Sequence, residues 1–290
     1  MTDLTDVNRE YRDRLFKFIF GNPEKKEWTL SLYNAVNGSH YTDAKAIILN
    51  TIDDVLYISM KNDVSFLIGD TLNLYEQQST FNPNMPMRFL IYAGMLYGKY
   101  IQTNEDFGLY SPRLQQAPTP KCVCFYNGAV NKEDRLTLRL SDSFSGESDI
   151  EVKVEMININ FGRNAELLSA CQPLHEYALF VDRVRVAHRS LEDLGYAVDA
   201  ALNELPADSL IKPYLIANKA EVKLMCLTEY KLERALADQR RGGREEGREE
   251  GTLELLVKLV KGGVLSVSEA AQWGNMTVSE FEAATGLKSD

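Results

Sequence analysis

Residues 9–20 read Arg-Glu-Tyr-Arg-Asp-Arg-Leu-Phe-Lys-Phe-Ile-Phe, with aromatic and aliphatic positions at helical spacing. Gly21–Asn22–Pro23 stops that helix. The pattern predicts a second helix from about Glu24 to Ala35, ending before Asn37–Gly38. Ile47–Ile48–Leu49 predicts a short edge strand, and Val55–Leu56–Tyr57–Ile58 a further apolar run leading toward Asp63. Lys61–Ile68 and Leu72–Ser79, separated by a turn, read as two adjacent strands. Asn82–Pro83–Asn84–Met85–Pro86 is a breaker cluster. After it, Phe89, Leu90, Ala93, Leu96, Tyr97 and Tyr100 recur as on one helix through about residue 101. Pro112, Pro118 and Pro120 mark a loop, Cys122–Tyr126 a buried strand closed by Asn127–Gly128, and residues 141–149 an exposed acidic loop. Residues 152–160 alternate as a strand, 173–204 are mostly helical, and a last long helical pattern begins near Leu215. Helices, a hairpin, a helix and then further strands predict an α/β fold with a mixed central sheet flanked by helices.

The composition shifts at residue 240. Arg240-Arg-Gly-Gly-Arg-Glu-Glu-Gly-Arg-Glu-Glu-Gly251 places Gly243, Gly247 and Gly251 four residues apart. Three glycines cost an isolated helix roughly 3 kcal/mol against alanine. Arg241 with Glu245, and Glu245 with Arg248, supply favourable helical ion pairs. The segment therefore reads as a linker or a helix. Ser266–Val–Ser–Glu269 and Thr277–Val–Ser–Glu280 are capping-box patterns that open two short helices. This divides the chain into a main domain over 1–238, a Gly/Arg/Glu-rich linker or helix over 239–251, and a small helical region over 252–290. The last helix is acidic, which argues against major-groove reading and for protein contact, including self-association into a homo-oligomer.

With 44% apolar and 26% charged residues the chain can bury a core. Its net charge is −10 and its pI about 5.0, a poor footprint for phosphate binding unless cations are gathered locally or a metal ion bridges to phosphate. Cys122, Cys124, Cys171 and Cys226 form no CxxC pair and read as buried thiols of a reducing compartment. His40, His175 and His188 are scattered, which argues against zinc. A polar N-terminus without a signal-peptide core, and no apolar run near the ~18 residues of a membrane span, lead to the expectation of a cytoplasmic protein without a membrane partner.

The candidate chemistry lies in the hairpin. Asp63 starts one strand, and Glu76 sits near the end of the next, with Gln78 two residues on. Neighbouring strands run about 4.8 Å apart, so the hairpin can bring both carboxylates to one hard cation. Leu72, Leu74, Glu76 and Gln78 share a face, apolar and then polar. That suits a site at the edge of a core and equally a strand leaving it for solvent.

Asp63…Glu76–x–Gln78 resembles the metal-binding motif of the PD-(D/E)XK nuclease superfamily. Several further segments resemble its recombination-promoting nuclease and putative transposase (Rpn) family: Asp13–x–x–Phe16–Lys17–x–Ile19–Phe20, Met85–Pro86–Met87–Arg88–x–Leu90–x–Tyr92, Cys124–Phe–Tyr126–Asn127–Gly128, and the Gly–Arg–Glu–Glu repeat. The resemblance implies a restriction-endonuclease-like core and Mg²⁺-dependent cleavage of DNA, with Mn²⁺ as a substitute. It implies Asp63, Glu76 and the carbonyl of Gln77 as metal ligands, with Gln78 in the place of the superfamily's lysine. Glutamine can orient a water but supplies no charge. Lys17 and Arg88 are the candidates for that charge, and Asp13 for an auxiliary carboxylate. Arg88, Tyr126 and Asn127 are the candidate substrate contacts. Each has a plainer reading: Lys17 snorkelling from an aromatic helix, Arg88 pairing with an acid, Tyr126–Asn127–Gly128 making a turn. The competing function is a catalytically degenerate nuclease fold that acts as an interaction module through its helical C-terminus.

Overall fold

The computed structural model describes residues 15–49, 63–105, 107–191 and 193–288, with the backbone alone at 229 and 231–250. The predicted strand at Val55–Ile58 and the auxiliary carboxylate Asp13 lie outside the described residues. The first of two units runs to Tyr230. It is an α/β unit around a six-stranded mixed sheet. The strands are β1 (Ile48–Leu49), β2 (Val64–Ile68), β3 (Thr71–Gln78), β4 (Thr119–Tyr126), β5 (Arg135–Arg139) and β6 (Lys153–Asn158), in spatial order β1-β2-β3-β4-β6-β5. β3, β4 and β6 run parallel, while β1 and β2 at one side and β5 at the other are antiparallel to their neighbours. β5 is not among the predicted strands; its five residues alternate Leu136 and Leu138 with polar neighbours, enough for an edge strand against β6.

Helices cover both faces of the central strands, which is why β3 is buried along nearly its whole length. On one face, Leu72 and Leu74 of β3 meet Phe89, Tyr92 and Leu96 of α3 (Met85–Thr103). On the other face, Tyr75, Phe66 and Phe125 pack with α1 (Leu15–Phe20), α2 (Lys26–Asn37) and α5 (Gln172–His188). Phe16 sits 5.1 Å from Phe125 in a tilted pair and 5.6 Å from Tyr177 edge-on, between ring centroids, so α1 is held by aromatic contacts. α2 starts and ends two residues later than predicted. The Asn22 side chain caps a 3-10 turn over Pro23–Lys25, and Gly38 closes the helix at φ 62°. All four cysteines are free thiols, and burial pushes that of Cys122 up to about 12.

The helical region after the sheet comprises α4 (Ala165–Ala170), α5, α6 (Leu194–Glu204), α7 (Lys212–Ala217) and the start of α8 (Lys219–Lys261). A buried carboxylate ties it together. Glu176 on α5 accepts hydrogen bonds from Gln172 Nε2 (2.8 Å), Ser209 Oγ (2.9 Å) and the backbone N–H groups of Leu210 and Ile211 (both 3.0 Å). These donors include N–H groups just before α7, which has no backbone partner of its own to offer them.

The second unit spans Lys231–Asp290. The two units divide at 230/231, within α8, which runs as helix through the glycine repeat. Its core joins Leu256, Val267, Ala270, Ala271 and Phe281 of α8, α9 (Val267–Trp273) and α10 (Val278–Thr285). Ser266 with Glu269 and Thr277 with Glu280 form both predicted capping boxes. Backbone hydrogen bonds from Ser266 and Thr277 hold the two carboxyls below the usual glutamate value of 4.5. A group whose folded value is depressed stabilises above its unfolded value and loses that contribution as pH falls through the folded one. Helix content in this unit is therefore expected to decline as pH drops below about 4.5. Far-UV circular dichroism of the full chain checks this, and Ser266→Ala/Thr277→Ala should remove the unit's share of the transition.

Candidate active site

Extending the β2–β3 register by one residue past Val64↔Tyr75 sets Asp63 opposite Glu76. Both side chains are buried, 8% and 1% exposed. Asp63 N–H donates to Glu76 Oε2 at 3.3 Å, and Gln77 N–H donates to Asp63 Oδ2 at 2.6 Å. The two carboxylates are thus interlocked across one strand pair. Gln78 Nε2 donates to Glu76 Oε1 at 3.3 Å, so this glutamine positions the carboxylate.

The first turn of α3 supplies a cation. Arg88 forms an ion pair through Nη2 with Glu76 Oε1. Its Nε and Nη2 also donate to Tyr92 Oη at 3.2 and 2.7 Å, one helical turn on. The chain turns back from β3 into α3 within six residues, so the start of α3 lies at the carboxyl end of β3. Burial, with the Glu76 charge adding, pushes the Tyr92 hydroxyl up to about 12, which keeps it neutral beside the guanidinium.

On the opposite face, Gln77 Nε2 donates to Asn127 Oδ1 at 3.4 Å. Arg185 of α5 donates to the same oxygen through Nη2 at 3.0 Å and to Asn160 Oδ1 through Nη1 at 3.3 Å. Asn160 Nδ2 donates in turn to Gly128 O and to Asn158 Oδ1. The polar groups gather where β3, β4 and β6 all end, the edge at which open α/β sheets hold ligands.

The sequence candidates are distributed accordingly. Asp63, Glu76, Gln77, Gln78 and Arg88 come together, and Asn127 joins them through Gln77. Tyr126 does not present itself to a ligand: its ring is fully buried and its hydroxyl donates to Val130 O at 2.8 Å, making it a core residue and loop anchor. Lys17 is half-buried on α1, which packs on the face opposite Glu76. Gly128 is fixed by close approach, since a Cβ there would lie 2.2 Å from Ser79 O and 2.5 Å from Tyr126 Oη. Gly128→Ala is expected to cost on the order of 3 kcal/mol, read as a lowered thermal midpoint. An unchanged midpoint would mean that the loop moves aside freely. Tyr92, Asn158, Asn160 and Arg185 are additions; the Arg88–Tyr92 spacing of four could have marked Tyr92, whereas Arg185 has no local signal.

Among the described residues no three His, Cys, Asp or Glu side chains form a ready cage. Mg²⁺ does not need one, because it takes one or two carboxylates and completes its shell with water and substrate phosphate. Two hard oxygen donors from adjacent strands, one already facing a cation at Glu76 Oε1, fit such an ion. No protein-family model, curated protein or solved structure matches this chain.

Proposed function

We propose that the chain is a metal-dependent DNA endonuclease of the recombination-promoting type, hydrolysing phosphodiester bonds on a restriction-endonuclease-like core. The observation that carries this reading is the interlocked pair Asp63 and Glu76, buried on one sheet edge beside Arg88. Asp63, Glu76 and the Gln77 carbonyl would hold Mg²⁺, with Mn²⁺ able to replace it. When bound, the ion supplies a water of lowered pKa and offsets charge developing at phosphorus. The chain's own residues do the rest. The Gln77 N–H fixes Asp63, Gln78 and Arg88 fix Glu76, and Tyr92 fixes Arg88. Arg88 is also the charge that Gln78 cannot provide, a guanidinium able to meet a phosphate oxygen while keeping its carboxylate partner.

A second reading has specific support. The Arg88–Glu76 ion pair already neutralises one ligand, Gln78 stands in place of lysine, and the net charge is −10. A degenerate nuclease fold would show these features too. Its helical C-terminus, with Trp273 66% and Val264 67% exposed, would then carry protein contact, including a homo-oligomer. Plasmid cleavage separates the two. Nicking with Mg²⁺ or Mn²⁺, abolished by EDTA and by Asp63→Ala or Glu76→Ala with the fold retained, supports the nuclease. Absence of nicking by the wild-type chain in every metal supports the module.

Among the described residues, no helix is long and apolar enough to cross a membrane.

A further inference from the structure

We infer that β5 is a docking edge for an acidic extended peptide, which adds to the six-stranded sheet as one more strand, antiparallel to β5. β5 stands at the end of the sheet, paired with β6 alone. The Leu140 N–H donates to Val152 O and the Asn158 N–H to Asp134 O, which fixes the alternation of this ladder. The backbone groups of Asp134, Leu136, Leu138 and Leu140 face β6, and those of Arg135, Thr137 and Arg139 face outward. Among the described residues no strand or loop pairs with these outward N–H and C=O groups. The edge is thus a line of donors and acceptors at strand spacing, the template that an added strand uses.

The side chains select the partner. Leu136, half-buried, and Leu138, buried, lie on the α3 face, so apolar residues of an added strand fit beside them. Arg135, Thr137 and Arg139 are exposed on the other face, where Arg135 is ion-paired with Glu155. Arg139 stands opposite Lys153 of β6, and extending the β4–β6 register back two residues from Val123↔Glu155 sets Lys121 beside Lys153. Lys121, Lys153 and Arg139 therefore form one row across β4, β6 and β5, with neighbouring strands about 4.8 Å apart. All are exposed, and among the described residues none of them makes an ion pair or a side-chain hydrogen bond. Like charges side by side across strands repel, and an acidic residue at the open end of the row offsets that cost. A second copy of the chain does not offset it, because antiparallel pairing about Thr137 sets Arg135 of each copy against Arg139 of the other. The peptide that fits is acidic opposite Arg139 and apolar at the alternate positions beside Leu136 and Leu138. β6 and β4 stand between this edge and Glu76 on β3, so the docking holds or fails independently of the nuclease reading.

The test is fluorescence anisotropy of the full-length protein with a labelled probe peptide, Thr-Glu-Val-Thr-Val-Glu-Thr, whose central threonine is set opposite Thr137. Arg139→Glu, an exposed change that should leave the thermal midpoint unaltered, is expected to bind the probe about tenfold more weakly than wild type. N-methylation of the central threonine removes the N–H that meets Thr137 and should abolish binding. N-methylation of either valine, whose N–H points away from β5, should leave it. Hydrogen exchange of the bound protein should slow at the Arg135, Thr137 and Arg139 amides. Wild-type affinity in Arg139→Glu, equal binding of the threonine-methylated probe, or no binding of the probe at all would overturn the inference. So would a labelled DNA duplex that binds wild type and is lost in Arg139→Glu while the peptide fails to bind, since the cation row would then serve a nucleic acid.

Discussion

Asp63→Asn is expected, on the proposed nuclease reading, to lower metal-dependent DNA cleavage by about a thousandfold or more while leaving the thermal midpoint nearly unchanged. The substitution removes a charge but little shape. The asparagine Oδ1 can still accept the Gln77 N–H that Asp63 Oδ2 now takes at 2.6 Å. The hairpin register and the backbone hydrogen bonds of β2 and β3 are untouched. What disappears is one of two hard anionic donors, and a divalent ion held by two carboxylates loses most of its affinity with one of them gone. Glu76→Ala is the informative contrast. It removes the Glu76 carboxylate from Arg88, which is only 22% exposed, and removing one partner of a buried pair costs on the order of 3 kcal/mol. Activity and stability should therefore fall together at 76 and separate at 63. Single-turnover cleavage and thermal melts on the same preparations check both. Retained cleavage in Asp63→Asn would remove Asp63 from the chemistry.

Glu176→Ala carries the largest expected loss of stability, on the order of 4 kcal/mol, since each buried donor left without its acceptor costs about 1–3 kcal/mol. The Ser209 hydroxyl and the Ile211 N–H are both buried and both face this one carboxylate. The Leu210 N–H and the Gln172 amide complete its set of donors. Alanine leaves a hole lined by these groups, and the entry to α7 loses its only described acceptor for the Ile211 N–H. For a unit of this size the midpoint should drop by roughly 10 °C. Glu176→Gln keeps one acceptor oxygen and should lose about half as much. Differential scanning calorimetry reads both, and a drop of under about 1 kcal/mol in Glu176→Ala would show that water takes over the carboxylate's bonds. Because Arg185 lies on the same helix as Glu176, hydrogen exchange across α5 also reports whether the loss spreads to the site.

The candidate site was legible in part because its logic is local. Asp63 and Glu76 belong to one hairpin, and period-2 alternation puts Glu76 on the face of Leu72 and Leu74, as the packing against α3 has it. Arg88 and Tyr92 are one turn apart at the start of the helix that follows. Tyr126 is the last residue of the buried strand that the pattern predicts, and parallel pairing on both sides of β4 holds its ring in the core, away from a ligand. Arg185 could not be found, since 58 residues separate it from Asn127. Nor could the role of Glu176, whose partners at 209–211 lie in a segment with no strong pattern of its own.

Periodicity, breakers and capping boxes, which depend on neighbours within a few residues, determined by themselves the helices from α1 to α3, the hairpin, and the two capped helices at the end of the chain. Only tertiary packing decided the order β1-β2-β3-β4-β6-β5 and the placement of β5 at an edge, since strand order and long-range contact depend on surfaces that no local window contains. The same physics set the polar end of the sheet. The hairpin brought two acids together on its own, but burial beneath α3 made Arg88 their partner, and packing of α5 carried Arg185 to the far side of Gln77.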